Sequence, residues 1–236
     1  MSELSKSQQK KLRKKEHWLE KKKEKKAKKK EKKTKKPKIF SLFKTNFLEW
    51  ENRLKSGIKV LVDCDFDSYQ TEKELTSLKQ QLIYCYAENK RSDNPLNLTL
   101  TGVSGQLQNS LEKVSSSNWS LSVHTENYLT LFDKDKLVYL TADSETSLDT
   151  FDPESIYIIG GIVDHNRHKM LTYNKANSDS IKTAKLPLNK YVQLQRSSVL
   201  TVNHMVALIL KYGETQDWTL AINETIPQRK IVKIVN

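Results

Sequence analysis

The sequence predicts an α/β domain, a mainly parallel sheet with helices on both faces, preceded by a basic arm. Three observations carry this. From residue 39 onward, short apolar runs typical of buried strands alternate with longer amphipathic stretches, the pattern of strands joined by helical crossovers. Polar clusters follow several of the apolar runs, where loops would leave the carboxyl ends of parallel strands. Residues 1–38 hold nineteen Lys or Arg against five Glu, so the formal +13 of the 236-residue chain leaves residues 39–236 close to neutral.

The arm, residues 1–38, is rich in helix formers, but Leu4, Leu12, Trp18, Leu19 and Ala27 form no sustained stripe. It has no face to bury, which predicts a frayed, solvated helix or a disordered segment. Blocks of like charge serve as nucleic-acid-binding tails, as nuclear-localisation signals or as solubilising segments. Nucleic-acid contact is the preferred reading, because Lys meets phosphate as a point charge and releases counterions, giving affinity without sequence choice.

Within residues 39–236, "GIKVLVDCDF" (57–66) reads as a buried strand. "TEKELTSLKQQLIYCYAENKRS" (71–92) reads as an amphipathic helix with Leu75, Leu78, Leu82 and Cys85 on one side. "LNLTLTGV" (96–103) is the next strand, "GQLQNSLEKV" (105–114) a short helix, and "WSLSVH" (119–124) and "KLVYLTAD" (136–143) further strands. "SIYIIGGI" and "IKTAKLPL" supply two more, flanking a helical stretch near 168–178. "SSVLTVNHMVALILKYGE" (197–214) is a long apolar helix with Ser197 or Ser198 as its N-cap, and "TQDWTLAINETI" (215–226) is a last helix. The clusters "DCDFD", "TAD", "GGIVDHNR" and "LPLNKY" then all fall beyond strand ends, where α/β sheets bind ligands.

Several chemistries lack support. The chain contains no GxxxxGK[ST] loop, no GxGxxG and no GxSxG, so a nucleotide triphosphatase, an ordinary dinucleotide enzyme and a serine hydrolase are disfavoured. The five histidines show no HExxH or other compact ligand spacing, and no metal is expected. Cys64 and Cys85 sit in apolar surroundings and read as small buried thiols of a reducing compartment. No apolar stretch reaches the length of a membrane span, and no apolar h-region follows the first charges, so neither secretion nor a membrane is expected.

Local physics leaves the polar loops open. Gly160-Gly161 serves a strand-to-loop bend or the close approach of a ligand. Asp164 is a cap or a chemical group, Asp63, Asp65 and Asp67 are turn and capping residues or ligand contacts, and His165, Arg167 and His168 belong to a solvated face or to a site.

Seven blocks carry a resemblance: "VDCDFD", "YAENKR", "VYLTAD", "YIIGGIVDHNRHKMLTYNKA", "IKTAKLPLNKY", "SSVLTVNHMVALILKYGETQDW" and "IPQRK". Together, in order and similarly spaced from about residue 57 to 231, they resemble the eukaryotic tRNA (guanine(9)-N1)-methyltransferase family of the SPOUT superfamily; the Lys-rich arm resembles that family too. The resemblance implies a SPOUT-type domain with a C-terminal trefoil knot at roughly 156–212, S-adenosyl-L-methionine as cofactor and tRNA as partner. It implies a cofactor cradle of Gly160, Gly161, Leu186, Leu188, Thr201 and Asn203. Leu186 and Leu188 are equally readable as core, and Thr201 and Asn203 as backbone-satisfying residues.

The implied reaction is N1-methylation of guanine at position 9. The alternatives are adenine or either purine at that site, and an inactive RNA-binding protein of the same fold. A sulfonium methyl needs alignment and exclusion of water more than activation, and the inward-facing purine edge must first be extruded. Asp164 is the expected catalytic residue, accepting the N1–H bond and taking the proton late, once methyl transfer has acidified the ring. Gln81 resembles a position near the target base, with a surface helix residue as the competing reading. Lys90, Arg91, Arg167, Lys169, Arg229 and Lys230 are candidate phosphate contacts or ordinary solvated charge. This branch is expected to be monomeric, in cytoplasm and nucleus.

Overall fold

The computed structural model describes residues 14, 17–18, 20–22, 47–195 and 199–234. The chain divides into two compact units, Met1–Phe47 and Leu48–Asn236. Of the first, the described residues place Lys22 Nζ 4.6 Å from the ring centre of Trp18.

From Phe47 onward the order is α1 (Phe47–Ser56), β1 (Lys59–Asp63), α2 (Glu72–Arg91), β2 (Asn97–Thr101), α3 (Gly105–Glu112), β3 (Ser122–Val123), α4 (Tyr128–Leu131), β4 (Leu137–Leu140) and β5 (Ile156–Gly160). There follow α5 (Leu171–Ser178), β6 (Lys182–Ala184), α6 (Leu188–Tyr191), β7 (Val192–Leu194), α7 (Val202–Thr215), α8 (Trp218–Thr225) and β8 (Ile231–Ile234). Six strands form one sheet in the order β3-β2-β1-β5-β4-β6, and every neighbouring pair in it is parallel. The mainly parallel sheet expected from the sequence is therefore present.

Because side chains alternate along a strand, the central strands feed two cores. Val60, Val62, Tyr157 and Ile159 pack with Leu75, Leu78, Leu82, Val206 and Ile209 on one face. Leu61, Tyr139, Ile156 and Ile158 pack with Tyr128, Ala176 and Ile181 on the other. Burial on both faces is why these strands read as continuous apolar runs.

Helix α2 begins with a capping box, Thr71 and Glu74 each bonding the other's main-chain N–H. In its last turn Asn89 accepts from Leu96 N at 2.7 Å and donates to Leu96 O at 3.0 Å, tying the helix end to the start of β2.

The structure corrects several boundaries. "WSLSVH" contributes only Ser122–Val123 to the sheet. Helix α7 starts at Val202 with Thr201 in the N-cap position, not after Ser197 or Ser198, which lie outside the described residues. The Val202 N–H is met by Gln81 Oε1 at 3.0 Å, a cap supplied from another helix. Asp217, rather than Thr215, opens α8, accepting from Thr219 N at 2.7 Å and Leu220 N at 3.2 Å. The antiparallel pair β7–β8 and the helix α1 were not anticipated from the sequence.

Candidate functional site

The carboxyl ends of β4, β5 and β6 and the start of α7 surround a cavity of about 180 Å³. Its wall includes Thr141 and Asp143 after β4, Gly160, Ile162, Asp164 and His168 after β5, and Lys185, Leu186, Leu188 and Asn189 after β6. Val199, Leu200 and Met205 close it.

Beneath lies a buried polar floor. Asp63, fully buried, pairs with Lys175 Nζ at 2.7 Å and accepts from Tyr139 Oη at 2.8 Å and from Asp65 N at 3.2 Å. Burial pushes its carboxyl above the ordinary carboxylate value, against the pull of Lys175 and the hydrogen bonds. Lys175 lies 4.4 Å from the Phe66 ring centre and 5.5 Å from that of Tyr128.

The two glycines answer to close packing. A Cβ on Gly161 would fall 2.7 Å from Asp63 O, the oxygen that already accepts the Gly161 N–H at 2.7 Å. On Gly160 it would fall 2.7 Å from Thr172 Cγ2. Only Gly160 of the pair lines the cavity.

Asp164 lines the cavity and also holds its own turn. Oδ1 accepts from Asn166 N at 2.9 Å and Oδ2 from His168 N at 2.7 Å, while its carbonyl accepts from Arg167 N at 3.1 Å. His165 and Asn166 between them adopt φ of 53° and 60°, a left-handed conformation disfavoured for L residues, and these bonds compensate for it. An ionised carboxylate has further acceptor sites, so Asp164 retains capacity toward a ligand.

The other expected residues are divided among different places. Leu186 and Leu188 share the cavity wall with Gly160 and Asp164. Thr201 is outside that wall, its hydroxyl 2.8 Å from Asn203 Oδ1 and from His204 Nδ1. Asn203 and Arg91 line a second, shallower depression. Arg229 and Lys230 close a 3-10 turn before β8, near enough that their charge, after burial, depresses His204. Gln81 is engaged by its oxygen at Val202 N and by its nitrogen at Ser77 Oγ, 3.4 Å away.

Arg167 is committed to Glu74 at 3.0 Å and to Tyr69 O at 3.1 Å. That guanidinium is the main reason the Glu74 carboxyl is lowered to about 2. Lys90 donates to Tyr86 Oη at 3.1 Å, and Lys169 is exposed.

Of the residues considered from the sequence, His168 also lines the cavity, whereas Lys185 and, from the flagged loops, Thr141, Asp143 and Asn189 were not singled out. Gln70, which bonds Gly161 O and Val163 N, had no signal at all.

The donor set fits S-adenosyl-L-methionine. Apolar walls at Leu186, Leu188 and Met205 suit a purine ring, and Asp143 and Lys185 offer opposite charges for a zwitterionic amino-acid group. Among the described residues no three His, Cys, Asp or Glu side chains gather as a metal site.

A wholly parallel six-stranded sheet with a cleft beyond its strand ends defines an α/β ligand-binding domain. The model of the family tRNA (guanine(9)-N(1))-methyltransferase TRM10/TRM10A matches residues 2–231, and the chain belongs to that family. It is 39% identical over 186 residues to a tRNA (guanine(9)-N1)-methyltransferase of Candida glabrata, covering 76% of this chain and 65% of that protein. It is 40% identical over 178 residues to human tRNA methyltransferase 10 homolog A, covering 74% and 52%. It thus spans between about half and two thirds of these relatives' lengths. The solved structure of spTrm10(74) superposes with a TM-score of 0.69 at 39% identity, covering 73% of this chain and 95% of that one. A full-length spTrm10–SAH complex gives 0.67 at the same identity, covering 73% and 96%.

Proposed function

We propose that this chain methylates N1 of guanine at position 9 of tRNA with S-adenosyl-L-methionine. The reading is supported above all by one juxtaposition: Asp164 and the backbone of Gly160 share a cleft with the apolar side chains of Leu186, Leu188 and Met205 and the charged ones of Asp143 and Lys185. The cofactor, when bound, supplies an electrophilic sulfonium methyl. Gly160, Leu186 and Leu188 would hold it, and the loop walls would keep water from the methyl. Asp164 would accept the N1–H hydrogen bond of an extruded guanine, orient the ring and take the proton late in the transfer. Arg91, Arg229 and Lys230 remain candidates for the RNA backbone, and the Lys-rich arm for added, sequence-independent grip.

A trefoil knot near 156–212 belongs to this reading. The sheet order supports it, since β5 lies between β1 and β4 and the chain after β6 comes back to bring Val199 and Leu200 to the same cleft. A crystal structure tracing an unthreaded path there would refute it. We extend the proposal to a monomer shared between cytoplasm and nucleus, with sedimentation and cell fractionation as the checks.

The decisive experiment incubates the protein with unmodified tRNA and labelled S-adenosylmethionine, then digests the RNA. Labelled 1-methylguanosine mapped to position 9 is the expected product. Label in 1-methyladenosine, or none, would overturn the assignment.

A further inference from the structure

We infer that Gln70 is a positioning residue for Asp164, fixing through two main-chain contacts the turn on which that carboxylate is carried. The inference rests on the proposed role of Asp164.

The argument starts where β5 ends. Strand β1 pairs with β5 as far as Asp63 opposite Gly160, and the Gly161 N–H makes one more bond to Asp63 O. Beyond that point β1 turns to bond Thr101 O through Cys64 N, and among the described residues no strand of the sheet is paired with the next main-chain groups on this side. Gln70 fills the place. Its Nε2 donates to Gly161 O at 3.3 Å and its Oε1 accepts from Val163 N at 2.8 Å. A primary amide carries the same donor and acceptor as a peptide group. Bonding a carbonyl and the N–H two residues on is what a neighbouring strand would do, so this side chain prolongs the pairing by one rung. A third contact, Nε2 to Phe66 O at 3.4 Å, anchors the amide to its own segment.

The far end of the loop is held from the same direction. Arg167 Nη1 and Nη2 reach Glu74 Oε1 and Oε2 at 3.0 and 3.3 Å, and Nη2 reaches Tyr69 O at 3.1 Å. Residues 69–74 therefore grip the loop before and after Asp164. Between those grips the stretch is fastened by the carboxylate's bonds to Asn166 N and His168 N and by the Asp164 carbonyl's bond to Arg167 N. Two left-handed residues sit inside that short stretch, so freeing either end lets the strained turn relax and shifts the carboxylate. A displacement near 1 Å is enough to cost about 100-fold in rate.

Gln70 is outside the cavity wall, which separates its role from a contact residue's. The test uses Gln70→Leu in the full chain. Single-turnover methyl transfer is expected to slow about 10- to 100-fold, with Kd for S-adenosylhomocysteine and for tRNA changed by less than about threefold. If Gln70 acts through Asp164, Gln70→Leu combined with Asp164→Asn is no slower than Asp164→Asn alone. Hydrogen exchange is read in parallel, without need of activity: the amides of Val163, Asn166 and His168 are expected to exchange faster in Gln70→Leu, those of α7 at an unchanged rate.

A wild-type rate in Gln70→Leu, a loss that simply adds to that of Asp164→Asn, or unchanged exchange at 163–168 would each overturn the inference. A wild-type chain that methylates no tRNA would refute the proposed activity, and the exchange comparison would still decide whether Gln70 holds the loop.

Discussion

At Asp164 one side chain does two things, lining the cleft and closing the turn that places it there. Substitution by Asn keeps one acceptor but turns an NH₂ group toward a main-chain N–H, so some loss comes from the turn itself. With late proton transfer, Asp164→Asn should slow single-turnover methylation by at most about 100-fold without abolishing it. Complete loss with cofactor affinity intact would show that proton removal precedes methyl transfer. His204 answers to pH. Burial first, then Lys230 and Arg229, hold its imidazole below the ordinary 6.5. The folded chain thus favours the neutral ring, and the associated stability is complete above 6.5 and lost as pH falls through the lower folded value. Thermal melts from about pH 7.5 to 5.5 should therefore show a steeper fall for the wild type than for His204→Gln. Equal slopes would mean another group carries the change. Asp164 drew attention in the sequence as a carboxylate after a Gly-Gly strand end, but local pattern left it open between a cap and a chemical group, and its expected role came from the family resemblance. Gln70 drew no attention, since its partners are main-chain groups 91 and 93 residues away and nothing in "DSYQTEKE" marks that reach.

Elements are joined here by a few polar side chains whose removal has defined costs. The Asp63–Lys175 pair fastens β1 to α5 below the cleft. Lys175→Met leaves a buried carboxylate without its cation and should destabilise the fold by about 3 kcal/mol or more in urea titration. Adding Asp63→Asn should recover part of this, and a double variant no better than the single would show that the pair is not the source. Gln81 caps α7 from α2, so Gln81→Ala should cost about 1 kcal/mol even without RNA present. An unchanged stability would return Gln81 to a role at the target base alone. The strands β1, β4 and β5 were readable because burial on both faces leaves a nearly uninterrupted apolar run, and β2 because Leu98 and Leu100 alternate with threonines. The pair β7–β8 was hidden: its strands of three and four residues are too short to separate from loop, and its partners meet only through tertiary structure. The start of α7 was misjudged for a related reason, since its cap comes from a helix more than a hundred residues earlier.

On the scale of the whole molecule, charge and chemistry are segregated along the chain. The excess positive charge lies in residues 1–38, and the remainder is close to neutral. Deleting residues 1–38 should weaken tRNA binding and flatten the dependence of log Kd on log salt, leaving cofactor affinity unaltered. A truncated chain with the full salt slope would move the electrostatic grip onto the folded unit. The sheet order has a different consequence. Strand β5 forms the rung between β1 and β4, yet it follows both in the chain. Until it is synthesised, the two strands it will join expose unpaired inner edges to solvent and to each other, in a topology whose long-range pairing is intrinsically slow. A nascent chain stalled before residue 156 would therefore hold the makings of a sheet with its keystone missing, and such a fragment should depend on chaperones to stay out of aggregates.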